Sequence, residues 1–112
     1  GLTSSGELDL EDLRSKINER TRLVSLVQVS NTLGCLNPIR AVADLAHAAG
    51  ALVLVDACQS LPHLPVNVKD LGADFLVGSS HKLCGPTGAP DGPRWVAAWQ
   101  RAGRAGECRN RP

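Results

Sequence analysis

The residues with the most chemical potential lie together, where one apolar stretch ends. The stretch "DFLVG" is followed directly by two hydroxyls, an imidazole and an amine at residues 79–82. A lysine in such a position usually reaches solvent. A lysine held in a dry, crowded site has a lowered pKa instead, and its neutral amine can form a Schiff base with a carbonyl compound. The cluster around Lys82 therefore predicts either a solvated turn or a site for carbonyl chemistry.

A carboxylate closes another apolar stretch, "ALVLVDA", which ends at Asp56. Burying this carboxylate is costly unless a positive or protonated group meets it. A plain ion pair with Lys82 is the commoner arrangement, and a ligand cation such as a pyridinium nitrogen is the alternative. Asp56 and Lys82 together form the pair that pyridoxal phosphate chemistry needs. The lysine binds the aldehyde carbon and the aspartate keeps the ring nitrogen protonated.

Further polar side chains flank this pair. Ser79 and His81 supply hydroxyl and imidazole donors suited to a phosphate group, although turn serines are commoner than phosphate ligands. Gln59, three residues after Asp56, is placed to bond a phenolic ring oxygen or, more simply, to satisfy loop backbone. Asn31 follows an earlier apolar stretch. The combination indicates a ligand site more strongly than any one member does.

Three apolar stretches predict the strands that position these residues. Residues 23–29 are β-branched and apolar and predict a buried strand, residues 51–55 predict a central parallel strand, and residues 74–79 predict a third. Strands that alternate with helices indicate crossover connections and a parallel α/β architecture. Such sheets bind ligands beyond the carboxyl ends of their strands. The candidate site residues are therefore expected to converge on that one edge of the sheet.

Helical patterns separate the strands. Residues 7–20 carry leucines and an isoleucine at helical spacing, with Asp9 as the expected N-cap. The segment "NPIRAVADLAHAAG" predicts a second helix that Asn37 caps, in which Pro38 occupies the first helical position and which Gly50 ends. "PVNVKDLGA" predicts a short turn or helix before the third strand.

Composition excludes several classes of function. The chain has 112 residues, of which 43% are hydrophobic and 21% charged, with a net charge of +1. This balance gives no bias toward polyanions, and aromatic residues at 3% give no stacking platform for single-stranded nucleic acid. No apolar run approaches membrane-spanning length, and the first residues do not resemble a targeting peptide. The four cysteines form no C-x-x-C pair, so we expect reduced thiols without a zinc site.

The segments "VSNTLGCLNPI" and "AHAAGALVLVDACQSLPHLPVNVKDLGADFLVGSSHKLCGPTG" closely resemble the SufS-type cysteine desulfurases of the class V aminotransferase family. The likeness runs from "LTSSGELDLEDL" to Gly88, and the wording "VDACQS" and "SSHKLCGPTG" is most similar to plastid members. It implies an α/β fold, namely part of the parallel-sheet large domain of fold-type I pyridoxal phosphate-dependent transferases. Residues 1–88 are then a partial cofactor-binding domain. Residues 89–112 diverge from the family and are expected to form a loosely ordered tail.

The resemblance also implies roles for the site residues. Lys82 would be the Schiff-base lysine and the catalytic residue, and Asp56 the partner of the pyridine nitrogen. Gln59 would contact the phenolic oxygen of pyridoxal 5'-phosphate, and Ser79 and His81 would contact its phosphate. The remaining residue of the set, Asn31, would lie near the cofactor and the substrate amino acid.

The implied reaction converts L-cysteine to L-alanine and leaves a persulfide on an enzyme cysteine, for iron-sulfur cluster assembly. Family-typical partners are a second copy of the chain in a homodimer and a sulfur-acceptor protein, with neither nucleic acid nor membrane. The implied location is the plastid stroma or a bacterial-type cytoplasm.

Departures from the family leave alternatives open. The persulfide cysteine, in a motif R-x-G-H-H-C, and the arginines that bind substrate carboxylate belong to a C-terminal domain of the family, so we expect these 112 residues alone to be inactive as a desulfurase. "RAGEC" at residues 104–108 lacks the histidines and is best explained by chance. Cys35, Cys58 and Cys84 are expected to be small core or loop residues. The alternatives are a segment of a selenocysteine lyase or another class V enzyme, a non-catalytic remnant, and a small thiol-based interaction module.

Overall fold

A computed structural model describes residues 1–84, which form a small parallel sheet and short helices, one of which packs on a face of the sheet. The strands are β1 (Leu23–Val27), β2 (Leu52–Asp56) and β3 (Phe75–Val77). The helices are α1 (Leu10–Lys16), α2 (Ile39–Ala48) and α3 (Val68–Leu71), followed by a 3₁₀ helix at Ser80–Leu83. The predicted tail at residues 89–112 lies outside the described residues.

The sheet is parallel throughout, with β2 in the centre and β1 and β3 on either side. Val27 of β1, Asp56 of β2 and Val77 of β3 are adjacent in the register. Because all three strands run in the same direction, their carboxyl ends meet at one edge. This order confirms the prediction of a parallel α/β fold with the 51–55 stretch at its centre.

The core forms where α2 packs on one face of the sheet. Buried side chains of α2, among them Ile39, Ala43 and Ala46, pack against Val53 and Val55 of β2. The alanines lack bulk, so the helix approaches the strand closely. Burial of this kind contributes roughly 25 cal/mol for each Å² of apolar surface removed from water. The core thus packs β2 against α2, and Asp56 at the carboxyl end of β2 lies outside the core cluster.

Residues 23–27 form the predicted strand, but the prediction that it is buried is wrong. Its residues alternate between exposed and half-buried, with Leu23 and Val27 exposed, and the strand ends at Val27 rather than at residue 29. Among residues 1–84, β1 pairs only with β2 and contacts the core through one face, which carries Val24 and Leu26. Alternate residues are exposed because successive side chains of a strand point to opposite faces, and among residues 1–84 the core covers only one face of β1.

The ends of the helices match the sequence predictions unevenly. Asp9 caps α1 as predicted, because its Oδ1 accepts from the main-chain N–H groups of Glu11 and Asp12 at 3.0 Å each. Gly50, at φ +76°, follows the end of α2 in the left-handed conformation that glycine tolerates best. α1 is shorter than the predicted 7–20, since Ile17 is already extended.

The predicted Asn37 cap of α2 is wrong. Pro38 occupies the N-cap position and no side chain caps the helix. Asn37 instead donates through Nδ2 to the carbonyl of Val27 at 2.9 Å and through its main-chain N–H to the carbonyl of Gln28 at 2.8 Å. The end of β1 therefore competes successfully for the amide.

No helix within the described part of the chain is long and apolar enough to span a membrane.

Candidate functional site

The main chain at Asp56 is held from both sides at the carboxyl edge of the sheet. Gln28 donates its main-chain N–H to the carbonyl of Asp56 at 2.9 Å, and Ala57 donates to the carbonyl of Val77 at 2.7 Å. These bonds continue the pairing of β2 with both neighbours past the strand ends. The position of the Asp56 carboxylate is therefore set by the sheet rather than by a loose loop.

The Asp56 side chain lies on the face of the sheet opposite to α2. Val53 and Val55 face the helix, and Asp56 alternates with them along β2. Its Oδ1 accepts the main-chain N–H of Cys58 at 2.8 Å, whereas Oδ2 has no hydrogen-bond partner among residues 1–84. Within the same residues neither Asp56 nor Lys82 forms an ion pair, so the plain Asp56–Lys82 pair considered from the sequence is not formed.

Ser79 and Lys82 stand where β3 ends and the 3₁₀ helix begins. Ser79 occupies the N-cap position, but its hydroxyl makes no capping hydrogen bond. It lies instead 3.1 Å from the Sγ of Cys58. The main-chain N–H of Lys82 bonds the Ser79 carbonyl at 3.2 Å, which closes the turn, and the Lys82 side chain is half-buried.

Cys58 lies among these groups, and their charges affect the pKa of its thiol. Burial raises the pKa of the Cys58 thiol above its ordinary value, and the hydrogen bond with Ser79 opposes this rise. The negative charge of Asp56 raises the pKa further, while the positive charge of Lys82 lowers it. An acid and a base on neighbouring strand ends thus act on one sulfur atom.

Gln59 and Asn31 link the loops that follow β2 and β1. The Gln59 side-chain amide donates from Nε2 to the Oδ1 of Asn31. His63 donates from Nδ1 to the Gln59 carbonyl at 2.7 Å, which fixes the Gln59 main chain in the same turn. The simpler prediction was that the Gln59 side chain bonds the backbone of its loop. It bonds the side chain of Asn31, another candidate site residue, instead.

His81 differs from the other candidates. It lies in the 3₁₀ helix beside Lys82, its side chain is exposed, and it makes no hydrogen bond to any described residue. The protein's own contacts therefore bring together Asn31 with Gln59, and Asp56 with Ser79 through Cys58. They leave the His81 imidazole unengaged.

Two residues that sequence reasoning did not assign to the site shape it. Cys58 bridges the ends of β2 and β3, although its position gave only a core or loop expectation. Gly78 provides room for the turn, since a Cβ at this position would lie 2.5 Å from the Cδ1 of Leu61. Parallel pairing of "VDAC" with "VGSS" was the one indication that Cys58 and Ser79 would meet.

The donor set at this edge fits pyridoxal phosphate. It contains a half-buried amine, a carboxylate with one oxygen lacking a partner among residues 1–84, and a hydroxyl that is not used for capping. An amide on the adjoining turn adds a neutral donor and acceptor. These are the groups that can meet an aldehyde, a protonated ring nitrogen, a phosphate and a phenolic oxygen.

Comparison with known proteins points to one family. The family model described as Aminotransferase class-V matches residues 1–89. A probable cysteine desulfurase from Synechocystis sp. (strain ATCC 27184 / PCC 6803 / Kazusa) is 53% identical over 87 residues, which are 78% of this chain and 21% of the relative. A cysteine desulfurase from Haloferax volcanii is 51% identical over 83 residues, or 74% of this chain and 20% of the relative.

Solved structures agree in fold. The crystal structure of the cysteine desulfurase CsdA from Escherichia coli, in its S-sulfonic acid form, matches with a TM-score of 0.73 and 38% identity over 78% of this chain and 22% of that chain. SspA in complex with cysteine matches with a TM-score of 0.71 and 31% identity over 78% of this chain and 25% of that chain. The chain thus spans about a fifth of the length of the curated relatives it matches, given as 21% and 20% for the two above.

Proposed function

The chain belongs to the aminotransferase class-V family, and on that premise we propose that it is the cofactor-binding segment of a pyridoxal phosphate-dependent cysteine desulfurase. The observation that carries the proposal is the placement of Asp56 and Lys82. Asp56 accepts the main-chain N–H of Cys58, whose Sγ lies 3.1 Å from the Oγ of Ser79 at the end of β3. Lys82 follows in the turn after Ser79, and yet it forms no ion pair with Asp56. A carboxylate and an amine that lie on neighbouring strand ends without pairing are both available to a ligand that needs them.

We assign the binding roles as follows. Asp56 holds a proton at the ring nitrogen through its free oxygen. Lys82 binds the aldehyde carbon covalently, and Ser79 and His81 donate hydrogen bonds to the phosphate. Gln59 bonds the phenolic oxygen, and Asn31, tied to Gln59, borders the substrate amino acid. Two of these residues are already oriented by contacts within the protein. Gln59, after β2, bonds Asn31. The hydroxyl of Ser79, after β3, lies 3.1 Å from the Sγ of Cys58.

When bound, pyridoxal phosphate supplies an electron-accepting ring, and the protein residues determine which bond of the substrate reacts. The Lys82 amine takes the proton from the substrate Cα and later returns one, which requires the amine to be neutral during part of the cycle. The Asp56 carboxylate would hold the proton at the ring nitrogen when the cofactor is bound, which favours electron withdrawal by the ring.

The proposed substrate is L-cysteine, with L-alanine as one product and a persulfide on an enzyme cysteine as the other, for iron-sulfur cluster assembly. The persulfide cysteine and the carboxylate-binding arginines of the family motif are not among these 112 residues. We therefore propose that activity requires the longer polypeptide, in a homodimer and with a sulfur-acceptor protein. Likeness to plastid members adds the plastid stroma, or a bacterial-type cytoplasm, as the proposed location.

The test is covalent capture of the cofactor by the 112-residue chain. Pyridoxal phosphate is titrated to millimolar concentration, the adduct is reduced with borohydride, and the modified residue is located by mass spectrometry. We expect the label on Lys82 and its loss in Lys82→Ala. Lys69→Ala is the matched control, because Lys69 is an exposed lysine on α3. Labelling spread equally over surface lysines, or none at Lys82, would contradict the proposal and favour a non-catalytic remnant.

A thiol-based interaction module is less well supported. Burial raises the pKa of Cys58, so its thiol is protonated at neutral pH and is a weak nucleophile. Cys84 is exposed, but it stands alone at the end of the 3₁₀ helix. Rapid alkylation of Cys58 at neutral pH, independent of pyridoxal phosphate, would favour the thiol module over the cofactor segment.

A further inference from the structure

Cys58 contacts both of the strand ends that carry the proposed cofactor ligands. Its main-chain N–H donates to the Oδ1 of Asp56 at 2.8 Å, and its Sγ lies 3.1 Å from the Oγ of Ser79. The bond from Ala57 to the Val77 carbonyl extends the β2–β3 pairing by one residue and brings Cys58 alongside Ser79. No other side chain among residues 1–84 joins these two strand ends by a hydrogen bond.

The Ser79 hydroxyl depends on this contact for its orientation. At the N-cap of the 3₁₀ helix a serine would normally bond a main-chain N–H of the following turn, but Ser79 does not. A hydroxyl rotates freely unless a partner selects one direction. Cys58 is the one partner that the described residues provide for the Ser79 hydroxyl.

The protonation state of the thiol suits this task. Burial raises the pKa of Cys58, and Asp56 raises it further, so at neutral pH the sulfur carries its hydrogen despite the opposing effects of Ser79 and Lys82. A neutral S–H can donate to the Ser79 oxygen, which leaves the serine's own hydrogen for an anion. A thiolate would place a second negative charge beside Asp56 and would repel a phosphate.

We propose that Cys58 is a positioning residue for the cofactor, whose thiol aims the Ser79 hydroxyl at the phosphate while its main-chain N–H holds the Asp56 carboxylate. This inference rests on the proposed function, since it needs Ser79 to be a phosphate donor. It assigns the thiol a structural hydrogen bond in place of a nucleophilic role. The main-chain part tolerates any residue except proline, so the specific role of cysteine lies in its contact with Ser79.

The experiment compares pyridoxal phosphate with pyridoxal, which lacks the phosphate, on the 112-residue chain. The dissociation constant of pyridoxal divided by that of pyridoxal phosphate gives the contribution of the phosphate. In Cys58→Ala we expect this ratio to fall by about fivefold, the effect of one hydrogen bond. Cys58→Ser keeps a donor and should restore most of the ratio. In Ser79→Ala the ratio should fall at least as far, and adding Cys58→Ala should cause no further loss.

A second readout needs no cofactor and remains usable if a variant of Cys58 fails to fold. The pH dependence of Cys58 alkylation is followed on its own peptide by mass spectrometry in the wild type and in Ser79→Ala. Because the Sγ of Cys58 lies 3.1 Å from the Oγ of Ser79, removal of the hydroxyl should displace the alkylation profile along the pH axis. An unchanged profile would show that the two side chains do not interact, and the inference would be wrong.

The outcomes separate this inference from the proposed function. If pyridoxal phosphate labels Lys82 but Cys58→Ala leaves the ratio unchanged, only the positioning role falls. A uniform loss of affinity for both pyridoxal phosphate and pyridoxal would likewise overturn it, because that pattern indicates general damage to the fold. If the chain does not bind pyridoxal phosphate at all, the proposed function and the positioning role fall together.

Discussion

Asp74 and Asp56 belong to the same sheet, yet the two ends of the sheet use them in different ways. Asp74 precedes β3 at the amino edge and is 5% exposed. Its Oδ2 accepts the main-chain N–H of Val53 at 2.9 Å and lies 2.8 Å from the Nε2 of His47. Asp56 ends β2 at the carboxyl edge, is half-buried, and has one oxygen without a partner among residues 1–84.

The difference shows that polar side chains at the two edges of a parallel sheet have different roles, structural at the amino edge and ligand-binding at the carboxyl edge. At the amino edge, the end of α2 and the starts of β2 and β3 meet, and Asp74 ties all three together through His47 and Val53. At the carboxyl edge the chain turns away after each strand, and parallel sheets place their ligands beyond this edge. A carboxylate is thus a structural bond at one edge and an available ligand group at the other.

The largest expected effect is a loss of stability at the amino edge. Asp74→Ala removes the acceptor for the buried N–H of Val53, and we expect the free energy of unfolding to fall by about 3 kcal/mol. Urea unfolding followed by far-UV circular dichroism measures the change. Asp44→Ala, on the exposed side of α2, is the matched control and should change little. Equal stabilities for Asp74→Ala and Asp44→Ala would break the contrast between the edges.

At the carboxyl edge we expect the reverse pattern. Asp56→Asn keeps an oxygen that can accept from Cys58 but removes the charge that meets the ring nitrogen. Affinity for pyridoxal phosphate should fall by roughly 30-fold, equivalent to about 2 kcal/mol, while the urea midpoint stays near that of the wild type. A large loss of stability with unchanged cofactor affinity would assign Asp56 the structural role held by Asp74.

A smaller effect should distinguish structural from ligand groups within the carboxyl edge itself. Asn37→Ala removes the hydrogen bond from Nδ2 to the Val27 carbonyl, and we expect a loss of about 1 kcal/mol in the free energy of unfolding. Affinity for pyridoxal phosphate should remain unchanged, since Asn37 bonds the end of β1 and not a candidate ligand. Weaker cofactor binding without a change in the urea midpoint would instead place Asn37 in the binding site.

The smallest expected effect concerns the pH dependence at Cys58. Its folded-state pKa is raised by burial, so the stability that comes from the neutral thiol is present below the ordinary pKa of cysteine. That contribution is lost as pH rises through the raised value. Alkylation of Cys58 should therefore be slower at pH 8 than in the urea-unfolded chain, as measured by mass spectrometry. Equal rates in the two states would show that the thiol is neither buried nor bonded.

Much of the fold could be predicted because its causes are local. The apolar run before Asp56, the αL glycine after α2 and the Asp9 cap each depend on residues within one or two turns of one another. The alternation of strands and helices then restricts the sheet to parallel pairing. The same reasoning placed Asp56 and residues 79–82 at carboxyl ends, where the structure has them.

The failed predictions depend on partners distant in sequence. Asn37 has a capping residue type, but the free carbonyls at the end of β1 attract its amide. The β-branched run at residues 23–29 indicated a buried strand, but only one face of β1 meets α2. The Cys58–Ser79 contact spans 21 positions and depends on the register of two strands.

The sequence by itself determined the strand and helix order, the parallel sheet and the residue types gathered at its carboxyl edge, since backbone preference and hydrophobic period act over a few residues. Only the tertiary structure decided which polar groups are already bonded and which remain available. The reason is that a buried donor or acceptor takes whichever partner the packing brings within about 3 Å, and packing depends on the whole chain. Asp74 acquired such partners, whereas Asp56 kept one oxygen without any among residues 1–84.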